Sequence, residues 1–437
     1  MLERRTKLKP IRLPHLAKDW RYVDLGTLID PLRPITYGVV QPGPHDPKGI
    51  PLIRGGDYSD GWRPPSELRR VSEAIEKQYS RARLRAGDLV ITIKGDVGTC
   101  AQVPEWLDGA NLSQTNARLA VDTGRAHPLY VLYYLESNIG RREIYEHTKT
   151  GAQPGLIFGD ICRFQIPIPA QIVEQEKIAE ILRTWDEAIE KLNACRKAKQ
   201  HRHLFLTHGL VFGRLQLKTF RTTDQTMPHR WFALPAHWRC SPIGSLAREV
   251  SERLGDAKPA EVLSCSKYDG FVRSLDYFKK QVFSSNLSGY KKIWHGDFGF
   301  PSNHVEEGSI GLQSIVDVGV VSPIYTIFRF ATDKVDADYA FAVLKTSLYR
   351  HIFEISTSAS VDRRGSLRWS EFSKLPFPIP PLSEQKAIAE FLRTAKAEID
   401  ALTSEIEALK RQKRGLMQKL LTGEWRVKVD SEGEAAA

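Results

Sequence analysis

Two stretches of the chain carry apolar residues at alternating steps of four and three, the spacing of one helix face. The later stretch runs Ile388, Leu392, Ala395, Ile399, Leu402, Ile406, Leu409, Leu416 and Leu420, interrupted only at Lys413. The earlier runs Ile178, Leu182, Trp185, Ile189, Leu192, Leu206 and Leu210, but is polar at Arg196, Lys199 and His203, where the frame calls for apolar residues. Such a seam buries itself against another helix. The pattern predicts two long helices paired through Ile178, Leu182, Trp185, Ile189 and Leu192 on one and Ile388, Leu392, Ile399, Leu402, Ile406 and Leu409 on the other. Pairing within one chain is the first expectation, and pairing between chains the alternative.

Both helices open with the same words. IPIPAQIVEQEKIAEILRT (Ile166 to Thr184) and FPIPPLSEQKAIAEFLRT (Phe377 to Thr394) share a Pro-x-Pro lead-in, a Glu-Gln pair and an IAExLRT run. The offset is 211 from Pro167 to Pro378 and 210 from Glu174 to Glu384, because the first copy has one extra residue. A repeat near half the chain length implies two similar halves. Asp19-Trp20-Arg21 has its counterpart in His237-Trp238-Arg239, so the halves also begin alike. The apolar run Pro128 to Ser137 matches Ala337 to Thr346, with Tyr130 opposite Tyr339, and reads as a short buried helix.

Between these landmarks the pattern turns short and strand-like. Tyr37 to Val40, Ile50 to Ile53 and Leu89 to Ile93 predict strands, separated by Pro-, Gly- and Asp-rich turns. Lys94-Gly95-Asp96-Val97-Gly98 is a turn with one basic tip, not a nucleotide loop, since neither GxxxxGK[ST] nor a helix-opening GxGxxG occurs. Lys94 aligns with Asn303 of the second half, and STSASVDRR (Ser356 to Arg364) takes the place of TKTGAQP (Thr148 to Pro154). The frames agree while the loops diverge, as expected of two readers built on one scaffold.

Charge narrows the partner. The 437 residues carry a formal charge of +11 with 26% charged and 41% hydrophobic residues, a globular composition with a basic excess that suits a polyanion. Residues 191 to 221 contain eight Lys and Arg and no acid. His201, His203 and His208 lie in that stretch without carboxylate or Cys partners at metal-ligand spacing, and read as surface or DNA-facing. The five cysteines are odd in number and contain no CxxC, which points to a reducing cytoplasm rather than disulfides or zinc. No signal peptide is visible, and no apolar run approaches a membrane span.

With the paired PxP…EQxxIAExLRT segments, GDLVITIKGDVG (Gly87 to Gly98) and TKTGAQPGL (Thr148 to Leu156) in view, the sequence resembles the specificity subunit of type I restriction–modification systems over nearly its whole length. The resemblance implies an α+β chain. Two similar globular target recognition domains would be separated by two long helices packed as an antiparallel coiled coil, in a pseudo-two-fold internal repeat. The expected divisions are an N-terminal arm (1–19), recognition domain 1 (20–165), helical spacer 1 (166–221), a linker (222–236), recognition domain 2 (237–375), helical spacer 2 (376–428) and a disordered acidic tail (429–437). Each domain would read one half of a bipartite, asymmetric site in double-stranded DNA. The helices would set the gap and dock methyltransferase subunits, with restriction/translocase subunits joining the complex. About 35 helical residues make a rod of roughly 50 Å, comparable to about 15 base pairs.

Base edges are read by Arg, Lys, Gln and Asn. The candidates are Arg54, Lys94, Gln114, Asn116 and Gln153 in the first half, and Lys267, Tyr268, Asn303, His304, Arg363 and Arg364 in the second. Lys197, Lys199, Arg202, Lys291 and Lys292 are candidates for phosphate contact. The sequence shows no cofactor-binding strand-turn with an [ND]PP[YF] motif, no carboxylate–lysine nuclease cluster and no P-loop. A non-catalytic adaptor is therefore expected, with no cofactor or metal of its own; S-adenosylmethionine, ATP and magnesium would belong to partner subunits. The alternatives are a methyltransferase or nuclease acting by itself, or a stand-alone coiled-coil protein. The latter leaves the two matched globular segments unexplained.

Overall fold

The computed structural model describes residues 16–149, 155–221, 225–256, 260–268, 270–303, 305–358 and 366–428. The chain divides into two compact units, Met1–Asn193 with Glu405–Ala437, and Ala194–Ser404. The long helices are Ile172–Val211 and Leu382–Leu420, so each contributes residues to both units. Of the expected arm only residues 16–19 are described, and the acidic tail lies outside the described residues.

Each unit carries the same strand plan. In the first, Thr36–Tyr37, Asn116–Leu119, Leu89–Thr92 and Cys100–Gln102 lie side by side in that order. In the second, Ala247–Val250, Tyr325–Phe330, Phe298–Pro301 and Gly311–Leu312 repeat it. The registers coincide as well. Leu89 faces Leu119 and Phe298 faces Phe328, both displaced by the 209 positions that relate Tyr130 to Tyr339. A second sheet joins Ile50–Ile53 in parallel to Asn111–Leu112, as Glu261–Ser266 joins Val318–Val321. The second unit adds one more strand, Lys291–Trp294.

The central strand of each main sheet is entered through a Gly-Asp turn. Gly87 and Gly296 have φ of 88° and 86°, a conformation that favours glycine. The buried Asp88 and Asp297 accept backbone N–H bonds from Arg85 at 2.7 Å and Trp294 at 2.9 Å. Arg33 neutralises the first at 2.6 Å and Arg329 the second at 2.5 Å. The same buried charge is thus met by arginines from different strands and loops, which hides the equivalence from sequence comparison.

The Pro-x-Pro lead-ins are strands, not the first residues of the helices. Gln165–Ile168 pairs antiparallel with Arg21–Asp24, and Pro376–Ile379 with Arg239–Pro242. Two-stranded pairings tolerate proline because only one edge must be satisfied. The expected spacers 166–221 and 376–428 thereby contract to the helix bounds above. Tyr130 donates its hydroxyl to the Pro167 carbonyl at 2.6 Å, and Tyr339 to Pro378 at 3.3 Å. The expected linker 222–236 also gains structure. Thr226–Pro228 and Ala233–Pro235 form a hairpin, with Phe232 and Leu234 buried in the second unit's core. Those two apolar residues are the reason it does not remain a free connector.

In the first unit the helix segments run antiparallel, with Asp186 against Lys413 and Glu174 against Arg426. In the second, Lys199 meets Glu398 while Leu210 and Val211 share a core with Ile388 and Leu392. The seam serves two masters. Ile178 and Leu182 join Met417, Leu420 and Leu421 in the globular core of the first unit. Ile399 and Ile406 are buried, whereas Trp185, Ile189, Leu192, Leu402 and Leu409 are half-buried. Lys413, the break in the heptad, places its ammonium 2.5 Å from Asp186 Oδ1 and 4.9 Å from the Tyr133 ring centre. The Tyr133 hydroxyl donates to Asp186 Oδ2 at 2.8 Å.

The repeated Glu-Gln pair roots each helix. Gln175 accepts from the His127 N–H and Gln385 from the Asp336 N–H, both at 2.9 Å, so each glutamine satisfies the N-terminus of the buried helix beside it. Glu384 is 1% exposed; it accepts from Trp238 Nε1 at 3.1 Å and lies 3.4 Å from His237 Nε2. Burial raises its pKa above the ordinary carboxylate range, opposed by His237. A carboxyl that holds its proton more tightly folded than unfolded favours the fold below the unfolded pKa, and this contribution is lost as pH rises through the folded one. Glu384→Gln removes the dependence. The wild-type melting temperature should therefore fall relative to that of the variant as pH is raised from about 4 to neutrality. A constant difference between the two melting curves across that range would refute the assignment.

Candidate nucleic-acid interface

In the first unit three of the candidate readers converge on one rim. Arg54 follows Ile50–Ile53, Lys94 follows Leu89–Thr92, and Gln114 lies in the turn after Asn111–Leu112. Backbone bonds tie these segments together: Ser113 N–H to the Ile53 carbonyl at 2.9 Å, Lys94 N–H to Thr115 at 3.3 Å and Gln114 N–H to Val39 at 3.0 Å. Asp57 accepts the Arg54 N–H at 2.8 Å and lies 3.2 Å from its guanidinium, which remains 45% exposed. Arg63 shares the same carboxylate at 3.8 Å. Lys94 and Lys149 both bridge to Gly155, and the segment 150–154 lies outside the described residues. Gln153 falls within that segment, outside the described residues.

Asn116 is not a reader. It is fully buried, and its amide is spent holding the rim. Its Nδ2 donates to the Ile53 carbonyl at 3.2 Å and Ser113 Oγ at 2.9 Å, while Oδ1 accepts from the Tyr58 hydroxyl at 2.7 Å. A buried amide needs such partners, and an amide so engaged has nothing left to offer a base. Burial pushes the Tyr58 phenol well above its ordinary value, so it stays a neutral donor.

In the second unit Lys267 and Tyr268 follow Glu261–Ser266, and Asn303 follows Phe298–Pro301. Tyr268 is 79% exposed, with the Lys267 ammonium 5.9 Å from its ring centre. Lys345 steadies this loop by donating to the carbonyls of Lys267 at 2.8 Å and Gly308 at 3.0 Å. The Leu156 N–H binds the Ile93 carbonyl at 3.0 Å as the Leu367 N–H binds that of Ser302 at 2.8 Å. These two ties occupy equivalent places in the two units. His304, Arg363 and Arg364 lie outside the described residues.

The charge map is sorted further by partners. Lys197 and Arg202 are exposed on the first long helix. Lys199, in contrast, pairs with Glu398 at 2.7 Å, so part of the basic stretch serves helix pairing. Lys291 donates to the Tyr325 carbonyl at 2.5 Å, with burial lowering its pKa, and Lys292 pairs with Glu252 at 2.7 Å. Both sit on the added strand and are engaged within the unit. Lys149 and Arg63 are rim cations that residue type alone did not single out; Lys149 stands inside the TKTGAQP motif, whereas only the fold brings Arg63 to Asp57.

Residues 44–220 and 299–411 match the type I restriction modification DNA specificity domain. The chain belongs to this family. It is 32% identical over 179 residues to the type I restriction enzyme EcoBI specificity subunit of Escherichia coli, a match spanning 40% of this chain and 37% of that relative. It is 23% identical over 440 aligned positions to a putative type I restriction enzyme MjaX specificity subunit of Methanocaldococcus jannaschii, covering 96% and 97% of the two chains. The crystal structure of a type I S subunit from M. genitalium has the same fold, with a TM-score of 0.55 at 14% identity, covering 94% of this chain and 99% of that one. As a member of the specificity family, the chain has a role in DNA recognition. No helix among the described residues is long and apolar enough to cross a membrane.

The rim and its foundation should separate under mutation. Asn116→Ala strips buried partners and should destabilise the chain by about 1–3 kcal/mol. Arg54→Ala and Lys94→Ala should stay within about 0.5 kcal/mol of wild type while weakening DNA binding. Denaturant titration with parallel DNA-binding measurements checks both halves; equal stability loss in all three variants would contradict the division.

Proposed function

We propose that the two units each read one half of an asymmetric, bipartite DNA sequence, and that the paired helices fix the gap between the halves. One observation carries this reading. Two bodies with the same strand order and register present different side chains at the same rim positions, Lys94 against Asn303 and Arg54 against Lys267 and Tyr268. A shared scaffold with unlike reading edges suits two different half-sites, and covalent linkage in one chain suits a single fixed gap. Phosphate contacts by Lys197 and Arg202 would supply the salt-dependent part of the affinity, with base-edge contacts by the rims supplying the sequence.

The chain itself performs no chemistry in this scheme. Methyl transfer, cleavage and translocation, with their S-adenosylmethionine, ATP and magnesium, belong to methyltransferase and restriction subunits that dock on the long helices, in the cytoplasm with the DNA. A structure from work on complex assembly of the type I R-M system shares this fold at a TM-score of 0.54 and 16% identity, which agrees with an assembled role. Methylation by the purified chain alone would overturn the adaptor reading.

Two expectations test the division of labour. Exchanging residues 20–165 for the corresponding domain of another family member should change one half-site and leave the other intact, as read by sequencing modified DNA; a change in both halves would defeat independent reading. Lengthening both helices by one heptad should alter the gap and preserve each half-site, and an unaltered gap would eliminate the spacer role.

A further inference from the structure

The two helix roots are built on the same glutamate but neutralised differently. Glu174 and Glu384 are both nearly inaccessible, at 3% and 1% exposure. In the first unit Arg426 clamps Glu174, with Nε at 2.7 Å and Nη2 at 3.0 Å. The same guanidinium holds both oxygens of Asp19 at 2.8 Å. Asp19 directly precedes the first strand region of recognition domain 1, and Glu174 opens the first long helix. One arginine from the chain's C-terminal part thus joins the beginning of the domain to the root of the helix that leaves it.

The second unit lacks this clamp. Gly213 and Gly423 end the two long helices in the same left-handed conformation, with φ of 67° and 70°. Counting forward from each, the position equivalent to Arg426 is Gln216, whose buried Oε1 has no hydrogen-bond partner. The position equivalent to Asp19 is His237. Glu384 instead accepts from Trp238 Nε1 at 3.1 Å and lies 3.4 Å from His237 Nε2. The equivalent Trp20 Nε1 is buried without a partner, as expected where Arg426 already occupies both oxygens of Glu174.

A second lock follows the same rule. Lys413 reaches Asp186 and the Tyr133 ring, so it touches the first long helix and the buried helix Pro128–Glu136 of the domain at once. At the equivalent places, 210 positions away, the second unit has His203 for Lys413 and Lys396 for Asp186. Lys396 turns instead to Asp400 on its own helix at 2.5 Å. The first domain is bolted to its helices by Arg426 and Lys413; among the described residues the second has neither bolt, and its long helix meets its buried helix through Arg393 and Asp338 at 2.9 Å instead.

We propose that Arg426 and Lys413 are positioning residues that lock recognition domain 1 onto its helix roots, and that the strictness of the gap between half-sites depends on them although neither lies on a reading rim. The proposal rests on the bipartite reading above. A domain that rocks on its root reads its own bases unchanged but accepts a half-site displaced along the duplex. Loss of the lock should therefore appear in gap discrimination and not in half-site sequence.

The test uses the full chain assembled with its methyltransferase subunits, on DNA with the native gap, gaps one base pair longer or shorter, and single base changes in each half-site. Arg426→Gln installs the residue of the second unit. Glu174→Gln with Arg426→Gln removes the buried charge as well, so any effect that persists is not the cost of an unpaired carboxylate. In both, and in Lys413→Met, preference for the native gap should fall about five- to tenfold, with half-site preferences and the salt dependence of binding unchanged. Gln216→Arg, which supplies the missing guanidinium to Glu384, should raise that preference. Unchanged gap preference in Arg426→Gln and the double variant overturns the proposal. So does a uniform loss on all DNAs that the double variant restores, since Arg426 would then only balance a charge. A wild-type complex with no sequence preference would instead overturn the bipartite reading itself.

Discussion

A carboxylate and an amide buried side by side at the start of each long helix hold this architecture together. The amide of Gln175 or Gln385 supplies an acceptor to a helix N-terminus, and the neighbouring Glu takes Arg426 in the first half and Trp238 in the second. Buried polar groups are costly unless fully partnered, so the junction admits few geometries. The two-stranded pairing of the Pro-x-Pro segment, the short helix carrying Tyr130 or Tyr339, and the long helix must all meet there. That is a physical reason for EQ to recur in both halves.

On that common joint the two halves diverge in graded fashion. Strand order and register are shared, the arginines facing Asp88 and Asp297 come from different segments, and the rims share almost nothing. The second body goes further by adding the strand Lys291–Trp294, whose lysines are used internally.

Much of this was legible in the residues. The repeated segments located both long helices, the run Leu89 to Ile93 located the central strand of the first sheet, and the offset relating Tyr130 to Tyr339 proved to be the offset of the sheet registers. What escaped was partnership across sequence distance. Asn116 has the residue type of a base reader, and only Tyr58, Ile53 and Ser113 reveal it as a foundation. Lys291 and Lys292 have the residue type of phosphate contacts, and only the fold sets the Tyr325 carbonyl and Glu252 beside them. Lys413 looked like a flaw in a heptad and is a bond to Asp186. Periodicity reports which side of an element is buried; it does not report which distant polar group waits there.

The network of Tyr58, Thr92 and Asn116 beneath the first rim bears on what a substitution above it changes. It ties the strand ends to one another from below, using groups that never reach the surface. A substitution confined to an exposed side chain of the rim leaves these buried bonds in place. What it alters is the chemistry displayed above them, on strand ends that stay where they are.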